Sequence, residues 1–284
     1  MKFILLLSLI FSASSAFAFP EAPFDALAKA HLKNNFPLDS MGYDFEGIVK
    51  LSNCSGSLIA FSGMPVTAKA VVMTNGHCYE RWGGFLKPGE VILDKKVTRR
   101  MGLYDKKMKL HNIKSTKVIY ATMTNTDLAL YELDQSYAEI LETTGIRPLL
   151  LDTVHPLANQ SIEIISGYWD RGWSCDIDGF VFALKESNWT FTNSIRYTRT
   201  CDTIGGSSGS PIIAKGERKA IGVNNTANES GKRCAMNNPC EVSEDGEIFV
   251  NSGATYGQQT YNVYTCLTPS FELDLSIPGC ELPR

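Results

Sequence analysis

From Tyr43 to Tyr264 the chain is a succession of short apolar runs, each closed by Gly, Asn, Asp or Pro. The clearest are 47–51, 56–61, 70–74, 117–120, 127–133, 161–168, 180–184, 211–214, 220–223 and 259–264. β-Branched and aromatic residues dominate them, so each is expected to form a strand that is at least half buried. Only the stretch from Gln135 to Thr143 reads as a helix. This distribution predicts an all-β protein, built as barrels or sandwiches, in two halves that divide near Thr143–Ala158. The tail, residues 270–278, alternates and runs into Cys280, which predicts a terminal strand or a strapped coil.

The first residues have another texture. Lys2 precedes the apolar run 4–11, and Ala16-Phe17-Ala18 supplies a small-residue cleavage pattern. Residues 1–18 therefore read as a secretory signal peptide, too short in its apolar part to span a bilayer. No later run is long enough to cross a membrane, so a secreted chain, extracellular or periplasmic, is expected. Residues 19–45 read as a pro-segment or an N-terminal arm, in which Pro20, Pro23 and Pro37 flank a short helix over 25–32 capped by Asp25.

Composition narrows the classes further. The chain has 284 residues and a formal net charge of −3. Its basic pairs (Lys95-Lys96, Arg99-Arg100, Lys106-Lys107) alternate with apolar residues and read as solvated strand or loop positions, which argues against a nucleic-acid surface. All eight cysteines (54, 78, 175, 201, 234, 240, 266, 280) follow the signal peptide. An even number in an exported chain predicts disulfides, and no C-x-x-C or H-E-x-x-H spacing suggests a metal site. Eight cysteines allow 105 pairings, so spacing alone leaves the connectivity open.

Candidate chemistry centres on Gly205-Gly206-Ser207-Ser208-Gly209-Ser210-Pro211, a tight small-residue turn carrying three serines. Gly205-x-Ser207-x-Gly209 satisfies the nucleophile-elbow pattern of α/β-hydrolases, whose acid and histidine follow the serine. The four histidines here (31, 77, 111, 155) all precede it, so that reading fails. The order His, Asp, Ser remains. His77 ends an apolar strand in Thr74-Asn75-Gly76-His77-Cys78, and Asp127 leads into the apolar run Leu128-Ala129-Leu130. A buried carboxylate needs donors, and an imidazole N–H is one.

Together these motifs resemble the trypsin-like (chymotrypsin-fold) serine proteases. Cys54-Ser55-Gly56-Ser57-Leu58-Ile59 is similar to the family's C-x-G-[ST]-L-I strand, Thr74–Cys78 to T-A-A-H-C, and Asp127–Leu130 to D-[IL]-A-L. Gly206–Pro211 is similar to G-[DNS]-S-G-[GS]-P, and Ser before the Pro is closest to the bacterial glutamyl-endopeptidase-like branch. The resemblance implies two packed antiparallel six-stranded β-barrels, residues 46–145 and 146–284, with the active site in the cleft between them. It selects Ser208 as nucleophile, His77 as general base and Asp127 as its orienting carboxylate. The N–H groups of Gly206 and Ser208 would form the oxyanion hole.

The resemblance further implies a Cys54–Cys78 disulfide. Cys175–Cys201, Cys234–Cys240 and Cys266–Cys280 complete the proposed set, the last two on proximity in sequence. Asp202, six residues before Ser208, stands where trypsin-like members carry the carboxylate at the base of the primary pocket, favouring Arg or Lys. Thr203, Gly205, Ser252 and Gly253 are the other substrate-binding candidates. One departure is Ser207, where members activated by a new N-terminus keep an acid. Removal of residues up to about 45, with Phe45–Glu46 as the nearest junction, is the alternative route. The implied protein is a monomeric secreted serine endopeptidase acting on protein or peptide substrates, with no cofactor or metal. A protease-fold binding or adhesion protein without activity is the alternative.

Overall fold

A computed structural model of the chain describes residues 42–80 and 84–284. The expected signal peptide, the helix expected over 25–32 and His31 lie outside the described residues.

The first half contains strands β1 (Ile48–Lys50), β2 (Ser55–Ala60), β3 (Lys69–Thr74), β4 (Val91–Lys96), β5 (Arg100–Tyr104), β6 (Leu110–Thr122) and β7 (Leu128–Ser136). Following the antiparallel pairings from β1 through β2, β3, β7, β6 and β5 returns to β1, so six strands close a barrel. β4 pairs with β6 outside the ring. Helix α1 (Tyr137–Thr144) follows, where the helical stretch was expected. Ser136 and Glu139 form a capping box at its start, and Gly145 closes it in the left-handed conformation.

β8 (Leu149–Leu151) then runs parallel to β2 on one side and to the later strand Lys219–Ala227 on the other, sewing the two halves together. The second half comprises β9 (Ser161–Ser166), β10 (Arg171–Glu186), β11 (Trp189–Tyr197), β12 (Pro211–Ala214), β13 (Lys219–Ala227), β14 (Cys240–Val242), β15 (Ile248–Phe249) and β16 (Thr255–Gln259). β9, β10, β11, β16, β13 and β12 pair in that order, and β12 returns to β9, closing a second antiparallel six-stranded barrel. β14 and β15 extend β10 as an added hairpin. The architecture is all-β with two packed barrels, as expected.

The main apolar cluster runs from the first barrel into the second, which also has a cluster of its own. Ile162, Ile164, Ile177, Ile195, Ile212 and Ile221 lie inside the second, each nearly or fully buried. Burying such a side chain stabilises by about 1.5–3 kcal/mol. The structure departs from the expected elements at one strand. The strand anticipated over 259–264 ends at Gln259, and Tyr261–Cys266 forms a 3-10 helix instead. There Tyr264 turns inward, its hydroxyl donating to Leu151 O and accepting from Ser62 N–H, which ties the segment across the barrels. The tail forms no strand. It is a coil strapped by the Cys266–Cys280 disulfide.

Of the basic groups read as solvated, Arg99 is buried and the part-exposed Lys106 reaches a buried carboxylate. Arg99 is 6% exposed; it donates to Cys78 O at 2.8 Å and to Asn53 Oδ1 at 2.6 Å. Lys106 Nζ lies 3.8 Å from the fully buried Glu46.

Glu46 is the hub of a clasp between the barrels. Arg147 grips its carboxylate with Nε at 3.0 Å and Nη2 at 2.6 Å, and Arg218 from the β12–β13 turn approaches at 3.4 Å. Phe45 beside it is also buried, edge-on to Tyr104. Both residues of the Phe45–Glu46 junction are therefore inside the fold. Burial alone would push the Glu46 carboxyl up, but Arg147 and Arg218 together hold it below the ordinary carboxylate range.

Arg147→Ala leaves that carboxylate under-compensated and is expected to cost about 3–5 kcal/mol in a denaturant titration at neutral pH. In the parent protein the ionised Glu46 contributes its full stability above the ordinary value near 4.5 and loses it as pH falls through the depressed folded value. The variant is expected to lose stability at neutral pH and to show a weaker acid limb.

Candidate active site

Side chains from both barrels meet in one cleft, lined by His77 and Asp127 of the first and by Ser208, Thr203 and Gly205 of the second. His77 follows the end of β3 in a turn that the Cys54–Cys78 disulfide ties to the start of β2. Arg99 holds the same turn from behind through Cys78 O. Gly76 is required there, since a Cβ on it would lie 1.9 Å from Thr122 O.

Asp127 leads into β7 and is 1% exposed. Its Oδ2 lies 2.7 Å from His77 Nδ1, and its Oδ1 accepts the His77 backbone N–H at 2.9 Å. Asn75 Nδ2 donates to the Asp127 backbone carbonyl at 2.8 Å, so the residue is held at its backbone as well as at its carboxylate. Burial alone would lower the His77 pKa. The charge and hydrogen bond of Asp127, aided by the more distant Glu186, outweigh it and hold the imidazole above its usual value.

Ser208 precedes β12. Its Oγ donates to Asn225 O at 3.1 Å, and no hydrogen bond joins it to His77. The loop around it is built from neutral groups. Buried Ser207 donates from its hydroxyl to Ile204 O at 2.5 Å, while Asn224 Nδ2 donates to both Ser207 O and Ser207 Oγ at 3.1 Å. No ion pair is needed to hold this loop, which fits the absence of an acid at position 207.

Gly206 adopts φ +91°, and a Cβ there would sit 2.8 Å from Tyr168 Cδ1. Ser55 Oγ donates to Gly206 O at 3.2 Å, and Ser55 N–H donates to Ser208 O at 2.8 Å. Trp169 Nε1 donates to Gly205 O at 2.7 Å. In a trans peptide the carbonyl and the next N–H point opposite ways, so this bond also fixes the direction of the Gly206 N–H. Neither the Gly206 nor the Ser208 N–H donates to an acceptor among the described residues.

The remaining candidates divide. Thr203 faces inward, 5% exposed, with its hydroxyl 3.4 Å from Asn224 Oδ1. Alternation along the loop then turns Asp202 outward, where it is exposed and does not line the cleft. The carboxylate anticipated at the base of the primary pocket is on the outside of the loop. Ser252 and Gly253 are also off the cleft; Arg199 Nη1 donates to Ser252 O at 2.6 Å. His111 pairs with Asp105 at 2.9 Å, and His155 packs on Phe180.

Disulfides join Cys175 to Cys201, Cys234 to Cys240 and Cys266 to Cys280, the first bracing the approach to the Ser208 loop. Cys54, His77 and Cys78 cluster closely enough to suggest metal ligands, but the two sulfurs are bonded to each other and offer no thiolate. Glu186, Phe85, Trp189 and Met236 line the cleft without a prior sequence signal. No helix among the described residues is long and apolar enough to cross a membrane.

The sequence profile of the family described as "Trypsin-like peptidase domain" matches residues 54–223, more than half of the chain. Among curated proteins, none matches. Solved structures show similarity at low identity. The MamO protease domain of Magnetospirillum magneticum is 10% identical over 79% of this chain and 97% of its own, with a TM-score of 0.48. The Nocardiopsis protease is 15% identical over 76% and 92%, with a TM-score of 0.45. A glutamic acid-specific serine protease is 16% identical over 75% and 91%, with a TM-score of 0.40.

Proposed function

The chain belongs to the trypsin-like peptidase domain family, and from that premise we propose that it is a secreted serine endopeptidase working through Ser208, His77 and Asp127. The observation that carries this reading is the 2.7 Å His77–Asp127 pair facing the same cleft as Ser208. The carboxylate holds Nδ1 as the protonated nitrogen, which leaves Nε2 as the base. Rotation of Ser208 about χ1, from the staggered well that serves Asn225 O to one that serves Nε2, presents the nucleophile.

Ser208 Oγ then attacks the scissile carbonyl as its proton passes to Nε2, and the carbonyl oxygen becomes an oxyanion facing the N–H groups of Gly206 and Ser208. Collapse of this tetrahedral species breaks the peptide C–N bond. The leaving amine takes the proton from Nε2, and Ser208 is left acylated. Water repeats the sequence in reverse roles, releasing the acid and restoring the hydroxyl. The Ser-Pro end of the Gly206–Pro211 motif supports a likeness to the bacterial glutamyl-endopeptidase-like branch.

An organophosphonate serine probe tests the reading directly. Labelling at Ser208, with cleavage of a peptide library that ends on Ser208→Ala, is expected. Absence of both would leave the alternative of a protease-fold binding protein. Gly206→Ala provides a finer check. The added Cβ opposes both φ +91° and the Tyr168 contact, so the peptide must turn and one oxyanion donor is lost. The expected loss in kcat is about 10²–10³-fold, with KM little changed.

A further inference from the structure

The hydrolytic reading leaves two carboxylates in the cleft unused, the exposed Glu229 and the buried Glu186. Glu186 ends β10 and is 7% exposed. It lines the cleft with Phe85, Trp189 and Met236. Its hydrogen-bond donors are neutral. The Asn237 N–H reaches Oε1 at 2.6 Å, and the Thr226 hydroxyl supplies a second bond. The charged groups that act on it include His77 and Asp127, and no Lys or Arg among the described residues forms an ion pair with it. Burial pushes the Glu186 carboxyl above its ordinary range, and the Thr226 and Asn237 bonds and His77 only partly oppose that shift.

A buried carboxylate without a cation carries a desolvation cost that hydrogen bonds offset incompletely. Beside it the walls are aromatic. Trp189 meets Phe85 edge to face at 5.9 Å, Phe85 meets His77 at 6.1 Å, and Phe85 is 43% exposed. A carboxylate at the end of an aromatic-walled corner is suited to a cation that is planar and apolar on its faces, the chemistry of guanidinium.

This corner adjoins the Ser208 loop within the same cleft. Asn225 O accepts the Ser208 hydroxyl, and Thr226, the next residue along β13, holds Glu186. We propose that Glu186, with Phe85 and Trp189, forms a subsite that binds an Arg or Lys side chain of the substrate at a residue flanking the scissile one. This rests on the endopeptidase reading above, and it assigns cation selectivity to Glu186 in place of the outward-facing Asp202.

Binding and turnover are measured separately. In Ser208→Ala protein, phenylguanidine is compared by calorimetry with its neutral isostere phenylurea. In the active protein, kcat/KM is compared for peptide pairs that differ only by Arg or citrulline at each position flanking the scissile bond. Phenylguanidine is expected to bind at least ten-fold tighter than phenylurea, and Arg to be preferred at one flanking position. Glu186→Gln is near-isosteric and removes an unpaired buried charge, so it keeps the fold while both ratios fall toward one. A parent binding ratio near one, or ratios that survive Glu186→Gln, overturns the subsite. Cation-selective binding that depends on Glu186, with no cleavage of any peptide, overturns the endopeptidase reading and leaves the subsite standing.

Discussion

Ser208→Ala is expected to lower kcat by about 10⁴–10⁶-fold while leaving the melting temperature nearly unchanged. The kinetic loss follows from removing the only atom in the proposed mechanism that becomes bonded to the substrate. The small structural effect follows from what Ser208 does at rest: its hydroxyl makes one hydrogen bond, to Asn225 O, and its side chain is only half-buried. An alanine fits the same backbone, so the Ser55 N–H bond to the residue 208 carbonyl persists. Substrate binding survives for the same reason, and KM is expected to change little. Single-turnover assays with a fluorogenic peptide, beside a thermal melt, check both halves. Retention of more than a hundredth of parental kcat would exclude Ser208 as nucleophile.

The second large effect is expected from Asp127→Asn, at about 10⁴-fold in kcat. Asp127 uses both oxygens on one residue, Oδ1 for the His77 backbone N–H and Oδ2 for Nδ1. An asparagine can keep its oxygen on the backbone N–H only by turning its NH₂ toward the imidazole. Nδ1 must then accept, which puts the ring proton on Nε2 and removes the base. The charge is lost as well, and with it the main influence that holds the His77 pKa up.

Because the neutral imidazole is the active form, parental kcat/KM is expected to rise with pH through a midpoint above the ordinary histidine value of 6.5. In Asp127→Asn the residual activity is expected to rise through a lower midpoint. The pH profile separates this from simple damage to the fold, which would lower activity without moving the midpoint. For stability the sign is opposite in use. A raised His77 pKa contributes stability below its unfolded value and loses it as pH climbs through the folded one.

His77, Asp127 and Ser208 were legible in the chain because each sits in a short motif at a strand end, and local sequence dictates strand ends. The two-barrel architecture was legible for a related reason, since runs of β-branched residues broken by turn formers mark strands wherever they pair. Orientation within a loop was not. Whether Asp202 or Thr203 faces the cleft depends on the parity of an irregular segment, which only the packed Asn224 side chain decides. Arg99 looked like solvated charge because its acceptors, Asn53 and the Cys78 carbonyl, are distant in sequence. Glu186 gave no sign because its environment is assembled from Phe85, Thr226 and Asn237, contributed by both barrels and an insertion. The 3-10 helix at Tyr261–Cys266 carries a strand-like composition, and its tertiary bonds through Tyr264 prevail over it.

The Trp169 bond to Gly205 gives the loop an optical handle. The indole is 46% exposed and bonded to the very peptide whose N–H is the proposed oxyanion donor. Any turn of that peptide breaks the bond and returns the indole N–H to water, which shifts its emission. Stopped-flow fluorescence with Trp82, Trp173 and Trp189 each replaced by Phe, to leave Trp169 as the one indole, would then follow the assembly and collapse of the loop in real time, without a dye and without a cleavable substrate.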